Sequence, residues 1–114
     1  IVLAGFLLQI PADLVDSFKN RIINIHPSLL PKFGGKGMFG KHVHKAVLDS
    51  DETESGISIH YVSNEYDEGK IIFQKSIAIE KGETVNSLTA KIQDLEHAYF
   101  PVIIEKTIRH EFNA

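Results

Sequence analysis

Cysteine is absent from the 114 residues of this chain. That absence excludes disulfide bonds, thiolate zinc sites and a cysteine nucleophile. Lys and Arg number 12 against 15 Asp and Glu, so the net charge of −3 provides no global positive field for nucleic acid. The apolar runs are too short to span a membrane, and there is no signal-peptide pattern. These absences favour a cytoplasmic protein that works apart from nucleic acid and membrane.

The composition is that of an ordinary globular protein, with 43% hydrophobic and 24% charged residues. Such a composition argues against disorder, and the length allows one domain or part of one. The chain opens on an apolar run, Ile-Val-Leu-Ala-Gly at residues 1–5, which is typical of a buried strand. Because a buried strand needs neighbours, we expect residues 1–114 to be the C-terminal portion of a single domain.

The hydrophobic periodicity predicts an α/β fold. The predicted strands lie at residues 1–5, 22–25, 55–62 and 70–79, and the predicted helices at residues 11–19, 41–48 and 83–111. The first strand, helix and strand form a parallel crossover unit, whereas the last two strands form an antiparallel hairpin. We therefore expect a mostly parallel sheet with an antiparallel hairpin and a long C-terminal helix.

The segment richest in chemistry is Asn-Ile-His-Pro-Ser-Leu-Leu-Pro at residues 24–31. It begins at the C-terminal end of a predicted parallel strand, which is where ligands bind in open α/β sheets. Alternation places Asn24 and His26 on the same side of the strand. An amide donor and a titratable imidazole would then face one crevice. The alternative is structural, with both side chains bonding to backbone groups of the following loop.

A second group of polar residues comprises Ser58 and His60, which share one face of a predicted strand, and Asp67 in the turn that follows. A carboxylate beside an imidazole favours the protonated ring, which is what a proton donor near neutral pH requires. The alternative for Asp67 is a carboxylate that simply faces water.

Two other patterns are rejected as functional sites. Gly35 to Lys41 has the spacing of a phosphate-binding loop, but His42 stands where a Ser or Thr should bind magnesium. His42 and His44 form a His-x-His pair, but they would project from different sides of a helix. We therefore expect no metal site.

Two segments, residues 24–31 and residues 58–69, resemble in their order and spacing those of the folate-dependent formyltransferases. The resemblance extends over nearly the whole chain. Pro27 and His60 favour the branch of that family that acts on glycinamide ribonucleotide. Methionyl-tRNA formyltransferases and formyltetrahydrofolate deformylases are the alternatives within the family.

The resemblance implies a Rossmann-like formyltransferase fold and a reaction. A formyl group would pass from 10-formyltetrahydrofolate, a co-substrate, to the amine of glycinamide ribonucleotide, a step of purine biosynthesis that uses no metal. Asn24 and His26 would bind the developing oxyanion, His26 would also donate a proton, and Asp67 would favour the protonated ring. Ser58 and His60 would support them from the same crevice.

The resemblance also implies which residues bind the two substrates. The residues matching the folate site are Leu7, Leu8, Gln9, Ile10, Asn24, Ser63, Asn64, Glu65, Tyr66 and Asp67. The residues matching the ribonucleotide site are Gln93, Asp94, Leu95 and Glu96. Glu96 is expected to hold the ribose hydroxyls.

The chain departs from the family pattern in two places. Many members have Met-Arg-Ile where this chain has Leu7, Leu8 and Gln9, a change that removes a charge at the rim of the folate pocket. The glycine-rich phosphate loop of the family is not among these residues. A folate-binding fragment without turnover is therefore a further alternative. A homodimer is compatible with the sequence, which does not set the oligomeric state.

Overall fold

A computed structural model describes residues 2–4, 22–30, 32–34, 40–62 and 70–113. Their elements are, in chain order, β1 (Val2–Ala4), β2 (Ile23–His26), α1 (Lys41–Asp49), β3 (Glu54–Tyr61), β4 (Ile71–Ala78) and α2 (Val85–Asn113). These elements confirm the α/β class, the hairpin and the long helix. The helix predicted at residues 11–19 lies outside the described residues.

The four strands form one sheet in the order β1-β2-β3-β4. β1 and β2 pair in parallel, as predicted for a crossover unit. β2 and β3 are antiparallel, as are β3 and β4. The described part of the sheet is therefore mixed, with one parallel pairing and two antiparallel ones.

One face of the sheet is apolar, because alternate residues of β2 and β3 are isoleucines. Ile25 lies opposite Ile59, and both are almost completely buried, as is Ile57. Val43 and Val47 of α1 belong to the same hydrophobic core. Full burial of each such side chain contributes about 1.5–3 kcal/mol, so this face holds the two helices on the sheet.

α2 begins with a reciprocal cap. The Ser87 amide donates to the Thr84 hydroxyl oxygen at 3.1 Å, and the Thr84 amide donates to the Ser87 hydroxyl oxygen at 3.0 Å. These bonds satisfy two amides that a helix start leaves without partners, so Thr84 caps this helix. Leu88 and Ile92 then face the core, and the helix continues through Pro101. Neither α1 nor the described part of α2 carries an apolar stretch long enough to cross a membrane.

Candidate active site

The second face of the sheet carries a row of polar side chains at the centre of the β2–β3 pair. Asn24 lies opposite His60, and His26 lies opposite Ser58. Directly opposed residues project from the same face, so the register gathers all four on one side. The alternation predicted for Asn24 with His26, and for Ser58 with His60, is confirmed.

All four side chains are nearly removed from solvent, with exposures of 6% for Asn24, 3% for His26, 0% for Ser58 and 2% for His60. Buried polar groups are costly unless they form hydrogen bonds, and their electrostatic interactions are stronger than in water. The contacts of this row therefore decide both its geometry and its chemistry.

Asn24 and His60 form a direct side-chain contact. The Asn24 Nδ2 atom lies 3.3 Å from His60 Nε2, and His60 Nδ1 lies 3.0 Å from the backbone oxygen of Tyr61. A carbonyl oxygen only accepts, so Nδ1 carries the proton and Nε2 accepts from the amide. His60 thereby orients the Asn24 side chain, with its nitrogen toward the ring.

His26 is oriented by the loop that follows it. Its Nε2 atom lies 2.7 Å from the backbone oxygen of Phe33, so the proton at this position is on Nε2. Phe33 has a φ of 58°, in the left-handed region that a bulky residue rarely adopts. Strain of this kind persists only where the surroundings over-determine it, and here it places the carbonyl that holds His26.

Ser58 binds the backbone of the same loop. Its hydroxyl donates to the Ser28 oxygen at 2.7 Å and accepts from the Leu30 amide at 2.9 Å. The Ser28 hydroxyl in turn donates to the Lys32 oxygen at 2.9 Å. The structural interpretation is confirmed for His26, which bonds to the backbone of the following loop, and the functional interpretation stays a prediction.

Two further titratable groups lie within electrostatic reach of His26. Burial raises the pKa of Glu96 on α2, while positive charge on His97 and His26 opposes that rise. Burial lowers the pKa of His44 on α1, and the charge of His26 lowers it further. His44 is buried and His42 is exposed, so these two histidines do project from different sides of the helix.

The four residues expected to bind the ribonucleotide differ in their surroundings. Gln93 and Asp94 are exposed on α2, Leu95 packs against the hydrophobic core, and Glu96 is half-buried. Of these four residues, Glu96 is the one whose pKa is affected by the charge of His26.

Several predicted site residues lie outside the described residues. They are Leu7, Leu8, Gln9, Ile10, Ser63, Asn64, Glu65, Tyr66 and Asp67. Within the part of the chain that the structure describes, no three His, Asp or Glu side chains are grouped to hold a metal ion.

Sequence reasoning missed two residues that shape this site. Gln74 of β4 bonds to the loop after His26, and Gly56 of β3 leaves room for Leu29 of that loop. A glycine within an otherwise regular strand was the one available signal, because it often marks a close approach of another segment.

The structure combines an α/β sheet with a buried amide and a buried imidazole at the end of a parallel strand. Residues 1–104 match the family model described as formyl transferase. The chain belongs to the formyl transferase family.

Relatives of known sequence agree. The chain is 44% identical over 104 residues to the chloroplastic phosphoribosylglycinamide formyltransferase of Arabidopsis thaliana, covering 91% of this chain and 36% of that protein. It is 38% identical over 104 residues to the phosphoribosylglycinamide formyltransferase of Escherichia coli (strain K12), covering 91% and 47%.

Solved structures agree as well. The crystal structure of phosphoribosylglycinamide formyltransferase from Bacillus halodurans superposes with a TM-score of 0.84 at 37% identity, covering 92% of this chain and 52% of that one. The 114 residues therefore span between about a third and about a half of the length of these relatives.

Proposed function

We propose that this chain carries the catalytic residues of a phosphoribosylglycinamide formyltransferase, which moves a formyl group from 10-formyltetrahydrofolate to the amine of glycinamide ribonucleotide. The observation that carries the proposal is the buried row in which Asn24 and His26 share one face at the end of a parallel strand. The names of the relatives support the choice of substrates.

The chemistry of acyl transfer assigns a role to each group. The substrate amine attacks the formyl carbon, and the carbonyl oxygen becomes an oxyanion. As the oxyanion returns to a carbonyl, the bond to the folate nitrogen breaks, that nitrogen gains a proton, and the attacking nitrogen releases one to water. Asn24 supplies an N–H donor to the oxyanion, and protonated His26 supplies another from Nδ1, because its Nε2–H is bonded to the Phe33 oxygen. Such donors act most strongly where water is excluded. His26 also serves as the proton donor, and Asp67 favours its protonated form.

The remaining predicted residues complete the proposal. Glu96 binds the ribose hydroxyls, with Gln93, Asp94 and Leu95 on the same stretch of α2. The folate pocket is formed by Asn24 with two segments, residues 7–10 and 63–67. His60 and Ser58 support the reaction by orienting Asn24 and by holding the loop after His26.

The decisive experiment measures formyl transfer by the protein as its gene encodes it, with 10-formyltetrahydrofolate and glycinamide ribonucleotide. We expect His26→Ala and Asp67→Asn each to lower turnover by roughly 10²-fold or more, the usual cost of a lost oxyanion donor or proton donor. His42→Ala is the matched control, because His42 is an exposed histidine of α1.

Unchanged turnover in the first two variants would overturn the assigned roles. The same preparation should be offered initiator tRNA as acceptor, and formate release should be measured with no acceptor. Activity in one of those assays alone would indicate a tRNA formyltransferase or a deformylase. Folate binding without turnover would indicate a binding protein.

The location and the oligomeric state are separate proposals. A cytoplasmic location is compatible with the lack of cysteine, and fractionation of the source cells would test it. Association into a homodimer would be tested by sedimentation velocity at two protein concentrations.

A further inference from the structure

Gln74 on β4 makes two hydrogen bonds to the loop side of the polar row. Its Nε2 atom lies 2.9 Å from the backbone oxygen of Leu30 and 2.9 Å from the hydroxyl oxygen of Ser58. Because a carbonyl oxygen only accepts, the atom that faces Leu30 must be the amide nitrogen. The orientation of the Gln74 amide is therefore fixed, and it acts here as a double donor.

The bond from Gln74 completes the hydrogen bonding of Ser58. A hydroxyl has one proton to donate and two lone pairs to accept. The Ser58 proton goes to the Ser28 oxygen, and its lone pairs accept from the Leu30 amide and from Gln74. Every hydrogen-bonding position of the hydroxyl is thus used, so Ser58 cannot rotate without breaking one of these bonds.

The segment secured in this way is the one that directly follows His26. Ser28 and Leu30 are held from β3 and β4. A few residues later, the Phe33 carbonyl oxygen accepts a hydrogen bond from His26 Nε2 at 2.7 Å. The path of this segment decides where that carbonyl lies. The carbonyl in turn decides which way the imidazole points and which of its nitrogens is protonated.

We propose that Gln74 is a positioning residue for His26, acting through Ser58 and Leu30 on the loop that carries the Phe33 carbonyl. This inference rests on the function proposed above for His26. Gln74 touches no reacting atom, and it is an exposed residue of β4. Its replacement should therefore disturb the chemistry far more than the stability of the fold.

The test compares Gln74→Met with Ser76→Ala in the protein as its gene encodes it. Methionine keeps the length of the side chain and removes both donors, whereas Ser76 lies on the same strand and face, two residues away. We expect kcat of Gln74→Met to fall about 10- to 100-fold, the scale set by small misplacements of a catalytic group. KM for both substrates and the thermal midpoint should stay close to those of the unchanged protein.

A second readout follows the His26 ring itself. Nitrogen-15 shifts of the imidazole, recorded at a pH high enough for the ring to be neutral, should report the Nε2-protonated form in the unchanged protein and in Ser76→Ala. In Gln74→Met they should report a mixture of the two neutral forms, which a merely structural role for Gln74 would not produce.

The two readouts separate the two proposals. Unchanged kcat and unchanged imidazole shifts in Gln74→Met would overturn the positioning role. If the unchanged protein transfers no formyl group, the proposed function fails, but the imidazole shifts still decide whether Gln74 positions His26. If Gln74→Met does not fold, Gln74→Glu replaces the donor by a carboxylate facing the Leu30 oxygen and should show the same changes.

Discussion

At the scale of single residues, the polar row is held together by contacts whose directions are chemically unambiguous. Two backbone carbonyls, of Phe33 and Tyr61, each accept a hydrogen bond from an imidazole N–H. As a result His26 is protonated on Nε2 and His60 on Nδ1 at these contacts. The two histidines of one strand pair are thus set in opposite forms, one to donate from Nε2 and the other to accept there.

His44 makes the stability of the fold depend on pH. Burial and the charge of His26 lower the pKa of His44 in the folded chain, below the ordinary value of 6.5 that applies when it is unfolded. Between the two values the unfolded chain binds more protons, so stability rises with pH. The stabilisation is fully present above pH 6.5 and is lost as the pH falls through the folded-state pKa.

We therefore expect the free energy of unfolding to drop as the pH is lowered from about 7.5 to about 5, and to drop less in His44→Gln. Urea denaturation at several pH values measures both. An identical pH dependence in the two proteins would show that other groups cause the loss. His42→Gln is the control, because that histidine is exposed on the same helix.

At the scale of elements, β3 lies close to both β4 and the loop after β2 because it has no side chain at Gly56. A Cβ atom there would lie 2.0 Å from the Lys75 backbone oxygen and 2.8 Å from Leu29 Cδ2. The first of these contacts is with the backbone of the neighbouring strand, which cannot move aside as a flexible side chain could.

Gly56→Ala should therefore destabilise the protein by at least about 1–3 kcal/mol, the usual cost of overpacking. Chemical denaturation measures the change, and circular dichroism shows whether the fold is retained. Ser76→Ala is the control, because Ser76 pairs with Gly56 and the substitution adds no atoms. Equal stability of the two variants would mean that β3 and β4 separate easily at this point.

The sequence predicted those parts of the site that depend on local periodicity. Asn24 with His26 and Ser58 with His60 follow from alternation along a strand. Gln74 follows from neither, since it bonds to Leu30 across 44 positions of the chain. His44 and Glu96 reach His26 only because two helices pack where they do, and periodicity along a helix does not define such an approach.

At the scale of the whole molecule, the described sheet is protected unevenly. β3 pairs on both sides and is buried along most of its length, whereas β4 pairs with β3 alone among the described strands and is mostly exposed. Local opening is rarest where backbone hydrogen bonds are buried on both sides. The polar row lies on β2 and β3, each of which pairs on both sides, so its geometry is as persistent as the core itself.

Hydrogen exchange should reveal this gradient. We expect uniformly slow exchange for the amides of β3, and exchange at least about tenfold faster for the outward-facing amides of β4. Exchange measured by nuclear magnetic resonance on the protein as its gene encodes it would resolve individual amides. Uniform protection along β4 would instead show that another segment or molecule pairs with its outer edge.

The register of β2 against β3 also bears on misfolding. A slip of one residue turns every side chain of the slipped strand to the opposite face. The isoleucines of the slipped strand would then face the loop after β2. Asn24 and His26 would enter the hydrophobic core if β2 slipped, and Ser58 and His60 would do so if β3 slipped. Such an off-register chain would lose its core and its polar row together. A correctly folded molecule has therefore necessarily assembled this row, and no stable compact form should exist in which the strands are paired and the row is not.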